Sequence, residues 1–446
     1  MHESAGHVFF GLNPFWVSLA LFTVTYVAIV TERLNRAIIA LIGAGLMIMS
    51  GVITQQAALR DGVDFNTLGL LTGMMVIVAI TRKCGIFQYV AVWSAKKVNA
   101  DPWGIMVMLA LVTAVFSAFL DNVTTVLLVA PVTLLITEEL KVDPYPYLFT
   151  EIFAANIGGT ATLIGDPPNI MIGSATGLTF NDFAWHLAPV VTVILLATLV
   201  PIYFFWGRKL SATPEARARV MQFNEHEAIT DPRLLKQSLA VLALTILGFI
   251  LAHPLHLEPA TIAMAGAAVL LLLDNFAHNA ERQSEQVHKT FGEVEWVTIF
   301  FFIGLFIVVY GIESAGVLKW LASRVVELTG GDLALTAQAI LWVSAIASAI
   351  VDNIPFVATM IPVIESMAPV YGGMQHIEPL WWSLALGACL GGNGTLIGAS
   401  ANLIVAGMAE RAGYPIRFLP FLLMAFPLML MSIAISSGYI YLRYFM

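Results

Sequence analysis

Long apolar runs separated by short polar clusters occupy almost the whole chain, and the runs come in two matching series. The first predicts a spanning helix at about 67–82, an amphipathic stretch at about 86–98, and two apolar arms at about 103–120 and 123–137. A helix interrupted at a glycine-rich centre (about 147–178) and a further span near 185–206 complete it. The second series repeats these features at 296–311, 317–328, 335–351 with 354–364, 381–408 and 418–442. Helices near 14–30 and 37–53 precede the first series, and two near 236–253 and 260–273 join it to the second. A hydrocarbon core of ~30 Å needs roughly 20 apolar helical residues. Two of the paired arms are shorter than ~17 residues, so each pair is expected to form a re-entrant hairpin instead of two full spans. The amphipathic stretches suit the membrane interface.

The two series align at a constant offset of 231, which sets Gly73 on Gly304, Gly85 on Gly316, Asp121-Asn122 on Asp352-Asn353 and Pro131 on Pro362. Two residues of slippage later, Thr162-Leu163-Ile164-Gly165 and Asn169 meet Thr395-Leu396-Ile397-Gly398 and Asn402. Ordered agreement of Gly, Pro, Asp, Asn and Thr over about a hundred residues marks an internal repeat of the kind found in transporters. Basic residues favour the cytoplasm. With the N-terminus outside, 17 of the 21 Lys and Arg residues fall inside, and the two series insert with opposite orientation. The expected fold is an all-α polytopic membrane protein of two inverted repeats, each with a re-entrant hairpin and a broken helix, about ten spanning helices plus two hairpins. Its segments are N-terminal scaffold helices (1–63), a first repeat (64–206) with hairpin 103–137, a cytoplasmic loop (207–235), linking scaffold helices (236–293) and a second repeat (294–446) with hairpin 335–364.

Composition narrows the function. With 59% hydrophobic and 11% charged residues and a mean hydropathy of +0.85, the chain cannot hide its apolar surface in one water-soluble core. The partner expected everywhere is the lipid bilayer, and nothing supports nucleic-acid binding. Cys84 and Cys389 lie far apart without CxxC or Cys/His spacing, so no disulfide framework, metal site or other cofactor is expected. No Lys or Arg precedes Arg33, so the first apolar stretch lacks the basic start of a cleavable signal peptide and reads as a membrane helix. No Walker A sequence occurs, so any use of ATP would need a separate soluble ATPase as partner.

Charge at membrane depth is costly, so the duplicated Asp121-Asn122 and Asp352-Asn353 are candidate functional residues. A hairpin tip inside the bilayer leaves backbone groups unpaired, which is tolerable where they line a cavity. The helix beginning near Val123 points its positive end at the tip beside Asp121, Thr124 and Thr125. Asp121 also has the position of an ordinary helix N-cap, and both roles stay open. The second element runs from Asn156 through Gly158, Gly159, Thr160 and Thr162 to Asp166, Pro167, Pro168 and Asn169. Glycines permit close backbone approach, and the two prolines remove donors and break the helix. Its counterpart, Gly391, Gly392, Asn393, Thr395 and Asn402, is equally small and polar but lacks the Asp and the prolines. Asp121, Asp352 and Asp166 are the candidates for proton coupling, with Asp166 equally able to form a turn before Pro-Pro. Glu151 is a further membrane carboxylate and Cys389 reads as packing.

The Phe119–Val126 and Asn156–Asn169 segments, with their second-half counterparts, resemble the ion transporter superfamily. Within it they are similar to the branch joining ArsB-type arsenite permeases, NhaD-type sodium/proton antiporters and the melanosomal P protein. The resemblance covers residues 10–446. It implies a homodimer in which a mobile domain carrying both hairpins and both broken helices moves like an elevator against a scaffold. It also implies ligand positions at Asp121, Asn122, Thr124, Thr125, Gly158, Gly159, Thr160 and Thr162, and at Asp352, Asn353, Gly392, Asn393 and Thr395. Dicarboxylate carriers of the superfamily present Ser-Asn-Thr at both tips. Two Asp residues would repel a dianion, which disfavours that substrate.

The expectation is therefore a secondary transporter of the cell inner membrane, exporting arsenite or antimonite against proton entry. Arsenite is mostly an uncharged trihydroxide near neutral pH, suited to Asn, Thr, Gly carbonyls and protonatable Asp. Sodium/proton exchange is the alternative, with the same carboxylates as hard oxygen ligands. An intramembrane aspartyl protease would carry a GxGD motif, which is missing where Asp166 follows Leu163-Ile164-Gly165.

Overall fold

The computed structural model describes Val8, residues 11–31 and residues 33–446; residues 1–7 of the expected N-terminal segment lie outside the described residues. The first half contains α1 (Pro14–Val30), α2 (Arg36–Met49), α3 (Phe65–Lys83), α4 (Ile86–Lys97), α5 (Pro102–Phe119), α6 (Asn122–Leu140), α7 (Tyr145–Gly159), α8 (Pro167–Thr176) and α9 (Phe180–Phe205). After a connection carrying α10 (Pro214–Met221), the second half contains α11 (Pro232–Ile250), α12 (Pro259–Asn275), α13 (Ala280–Gly292), α14 (Trp296–Ser314) and α15 (Val317–Leu328). It ends with α16 (Leu333–Ile350), α17 (Asn353–Met367), α18 (Glu378–Gly391), α19 (Ser400–Arg411) and α20 (Phe418–Tyr444). Among the described residues eight helices are long and apolar enough to cross a membrane, with four shorter apolar helices beside them.

Packing duplicates along with sequence. Helix α3 lies on α12 and α14 lies on α2, and each contact closes over a glycine. A Cβ on Gly73 would meet the backbone carbon of Ala263 at 2.7 Å, and one on Gly304 the backbone carbon of Ala40 at 2.6 Å. The repeat thus extends past the region of sequence agreement: α1–α2 correspond to α11–α12, and each half's first helix pair packs on the other half. The amphipathic α4 and α15 both start at a left-handed glycine, Gly85 and Gly316, with φ of 78° and 82°. The hairpin arms α5 and α16 pack on α7 and α18, while α6 lies on α19 and α17 on α8, so each hairpin also crosses to the opposite broken helix.

The arms of the hairpins run 18, 19, 18 and 15 residues; the second arm of each is longer than expected, because Glu138–Leu140 and Glu365–Met367 continue the helices past their last strongly apolar turns, and the first three arms are among the eight helices long enough to cross a membrane. The loop at 207–235 is docked as well as polar. Arg219 pairs with Glu139 at 3.1 Å, Lys96 with Glu225 at 2.5 Å, and the Thr230 hydroxyl donates to the Lys83 carbonyl at 2.5 Å. Helix α13, unforeseen in the sequence, is held by Lys83, which binds the Thr290 hydroxyl at 2.9 Å and Asp274 at 3.0 Å.

One departure from symmetry stands out. A small cavity sets Met75, Val78, Ala79 and Arg82 of α3 against Thr124, Leu127 and Leu128 of α6. Its counterpart sets Phe306, Val309, Tyr310 and Glu313 of α14 against Ala358, Ile361, Pro362 and Glu365 of α17. The α3 and α14 residues are repeat partners one for one, whereas Ala358, Ile361 and Pro362 correspond to Leu127, Ala130 and Pro131. Leu127 and its counterpart Ala358 line both, and the stretch of the second arm that lines the cavity is shifted by three residues, about 4.5 Å along a helix.

Candidate functional site

Both tips are helix starts. Asp121 caps α6, accepting from the Thr124 N–H at 2.7 Å and the Thr124 hydroxyl at 2.5 Å. Asp352 caps α17 through Oδ1, which accepts from the Ile354 N–H at 3.1 Å. Its Oδ2 accepts from Nη1 of Arg36 at 2.6 Å and from the Ser400 hydroxyl at 2.8 Å. The same guanidinium nitrogen donates to Ser400 Oγ at 2.7 Å, and the Arg36 group lies 4.8 Å from the Phe301 ring centre. A cavity of about 300 Å³ opens on this cluster.

Each broken helix is held by the same set of bonds. Ser117 and Ser348 donate to the carbonyls of Ala155 and Ala388, both at 2.6 Å. Thr162 donates to Ala118, and Thr395 to Ala349 at 2.5 Å. The Asn169 amide reaches the carbonyls of Thr160 at 3.1 Å and Thr162 at 2.9 Å; Asn402 reaches those of Gly392 at 2.8 Å and Thr395 at 2.9 Å. Carbonyls freed where the helix stops are thus paired by side chains. Glycines make the approach: a Cβ on Gly158 would meet the Ala114 carbonyl oxygen at 2.2 Å, and one on Gly391 that of Ala345 at 2.5 Å. A Cβ on Gly159 would meet the Gly165 carbonyl oxygen at 2.5 Å, and one on Gly392 that of Gly398 at 3.0 Å.

Between the breaks runs a chain of carboxamides. Asn122 donates to Asn156 Oδ1 at 3.1 Å, and Asn156 Nδ2 donates to the Oδ1 atoms of Asn393 and Asn402, each at 2.9 Å. Asn353 donates to Asp166 Oδ1 at 3.2 Å, so the second hairpin reaches the first break. The Cys389 thiol stands 3.6 Å from Asn169 Oδ1. Asn156, Asp166, Asn169, Asn393 and Asn402 have no solvent exposure. The Asn393 amide nitrogen and the Thr125 hydroxyl have no partner. These bonds make one carboxamide chain of Asn122, Asn156, Asn393 and Asn402 and, beside it, the Asn353–Asp166 pair, with Asn169 holding the first break; Thr160, Thr162, Thr395 and the glycines shape the frame. Asp121 and Thr124 close on each other, and Asp352 turns toward α2. Sequence reasoning passed over Arg36, Ser400 and the Glu151–Thr133 hydrogen bond between α7 and α6. Arg36 had a signal only as a cation opening an apolar helix, which reads as a topology mark.

Chemically, the centre offers amide donors, carbonyl acceptors and one buried carboxylate, with no Lys or Arg in the network. A profile of citrate transporters, CitMHS, matches residues 26–387. The chain belongs to the CitMHS citrate transporter family. This CitMHS member is 43% identical over 433 residues to an uncharacterized transporter of Mycobacterium tuberculosis, covering 96% of this chain and 98% of that one. It is 33% identical to the human P protein, covering 95% of this chain and 59% of that longer protein. Its fold is that of the YdaH transporter of Alcanivorax borkumensis, with a TM-score of 0.60, 14% identity, and 96% and 98% of the two chains covered. MtrF of Neisseria gonorrhoeae, described among antimetabolite efflux pumps, superposes with a TM-score of 0.61 at 10% identity, covering 97% and 95%. The CitMHS chain is a multi-pass membrane transporter and not an enzyme.

Proposed function

We propose that this transporter exports a small uncharged oxyhydroxide, arsenite or antimonite, in exchange for protons, by elevator-like movement of the hairpins and broken helices against α1–α3, α11, α12 and α14. The observation that carries the reading is the buried polar centre, a chain of carboxamides beside a single carboxylate, Asp166, which Asn353 holds, with no basic side chain among these residues. A neutral polyhydroxyl solute meets no strong field there and can replace bonds that the carboxamides now make with one another, and a buried carboxylate can take up the proton that drives exchange. The three-residue offset between α6 and α17 supports a carrier displaced toward one face. We place the protein in the inner membrane with the N-terminus outside, as a homodimer.

Sodium/proton exchange is the second reading, favoured by the carboxylate oxygens of Asp166, which suit a hard cation. Citrate, named by the family profile, would need cations beside it in this network, because nothing there balances its charge. The test is uptake of arsenite, sodium and citrate into inverted vesicles holding the full chain, each with and without an imposed proton gradient. Gradient-dependent arsenite uptake, lost in Asp166→Asn, is the expected result. Gradient-dependent movement of sodium or citrate alone would replace the substrate, and gradient-independent movement of all three would remove the coupling.

A further inference from the structure

Arg36 belongs to α2, which lies on α14, whereas Asp352 is the tip of the second hairpin, so one ion pair ties a scaffold helix to the proposed moving part. Asp352 is left with little need of any other cation: Oδ2 has both Arg36 and Ser400, and Oδ1 has the α17 backbone. A cavity of about 300 Å³ with mostly apolar walls opens beside the pair. Other ionisable side chains lie on elements packed around this hairpin, namely Asp166 before α8, Glu313 on α14, Lys319, Arg324 and Glu327 on α15 and Glu378 on α18, while Glu365 lies on α17 itself. Of the described residues, Arg36 alone pairs with Asp352.

Among the described residues Asp121 has no such base. The glycine contacts that pair Ala40 with Ala263 make Pro259, following Glu258, the counterpart of Arg36, and Asp121 closes on Thr124 instead. The pair is thus a one-sided addition to a two-fold framework. If the two halves exchanged registers, α17 would slide about 4.5 Å along α14. A 2.6 Å hydrogen bond does not survive such a slide, and a carboxylate left alone at membrane depth must gain a cation or a proton.

We propose that Arg36 is a tethered counter-cation for Asp352, neutralising it at one end of the carrier's stroke and yielding it to the coupling proton or cation for the passage. This rests on the coupled-carrier reading above, in which Asp166 takes up a proton, and makes Asp352 a second carboxylate that must be occupied before the carrier moves. Arg36 is a positioning residue here, acting through Asp352.

The experiment uses the full chain in proteoliposomes, with whichever of arsenite, sodium and citrate the parent carries as probe. Arg36→Gln should bind the coupling ion at least about tenfold more tightly from the face where Arg36 meets Asp352, with half-saturation on the opposite face unchanged. Arg36→Lys should lie near the parent. Unchanged half-saturation on both faces, or an equal shift on both, overturns the proposal. Because Arg36→Gln removes one partner of a half-buried pair, a second measurement keeps Arg36: spin labels at Leu34→Cys and Leu403→Cys report the gap between scaffold and second break. Adding the coupling ion should populate a longer distance, and distances that ignore the ion overturn the role. If the parent itself shows no coupling, the carrier reading fails; if the parent is coupled and these readouts do not move, only the role of Arg36 fails.

Discussion

Asp121 gives both oxygens to Thr124, so its effect on folding can be separated from its charge. Asp121→Ala should lower stability by about 1 kcal/mol, and Asp121→Asn, which still caps, should retain most of it in thermal unfolding of the purified protein. Transport lost in the Asn variant at parental stability would show that the carboxylate itself is needed. Asn156 is the hub of the carboxamide chain, and Asn156→Leu would leave Asn122, Asn393 and Asn402 each missing a partner. A loss of about 2 kcal/mol or more is expected from the same melts. Glu151 is different: one oxygen accepts from Thr133 and the other has no partner, and the matching residue in the second half is Leu384. Glu151→Leu should therefore leave stability unchanged or raise it, since an isolated buried carboxylate is poorly compensated.

At the level of helices, the paired glycines set how closely α3 and α14 approach their partners. Gly73→Ala and Gly304→Ala should each cost about 1–3 kcal/mol through overpacking. Gly45→Ala, where a Cβ would meet nothing within 4 Å, is the control and should be neutral or stabilising. The polar connection is tied to α4 by Lys96, whose hydrogen bond to Glu225, with help from the residue's own backbone, holds that carboxylate below its usual range. A depressed folded-state pKa means the tie is fully present above the ordinary Glu range and is lost as pH falls through the lower, folded value. Acid proteolysis should cut within 210–230 sooner as pH falls, and Lys96→Met should show the same susceptibility to a neutral protease at pH 7. Spans and breaks were legible in sequence because hydropathy and Gly/Pro punctuation act locally. Helices α10 and α13 were not, because both are short and polar and owe their placement to tertiary partners such as Glu139 and Lys83.

The whole molecule combines a repeat readable from sequence with asymmetries that are not. Constant spacing revealed which residues correspond, and Asn122, Asn156 and Asn353 could be named because polar residues are rare in such runs. That Asp352 faces Arg36 could not, since 316 residues separate them and pairing depends on where α2 lies on α14. The offset between α6 and α17 makes a prediction on the same scale. Pulsed distance measurements between labels on α3 and α6 should resolve two populations about 4–5 Å apart, one matching this arrangement. A single unvarying distance would mean the offset is a fixed irregularity. The exchange of helix pairs, α2 onto α14 and α12 onto α3, also bears on how the protein is made. When the ribosome has completed α3, its close-fitting mate is still some 180 residues from synthesis, and α2 waits longer for α14. A nascent first half is therefore left with glycine-lined grooves open to lipid, so insertion machinery must shelter it until the second half arrives, and neither half expressed by itself should yield a compact protein.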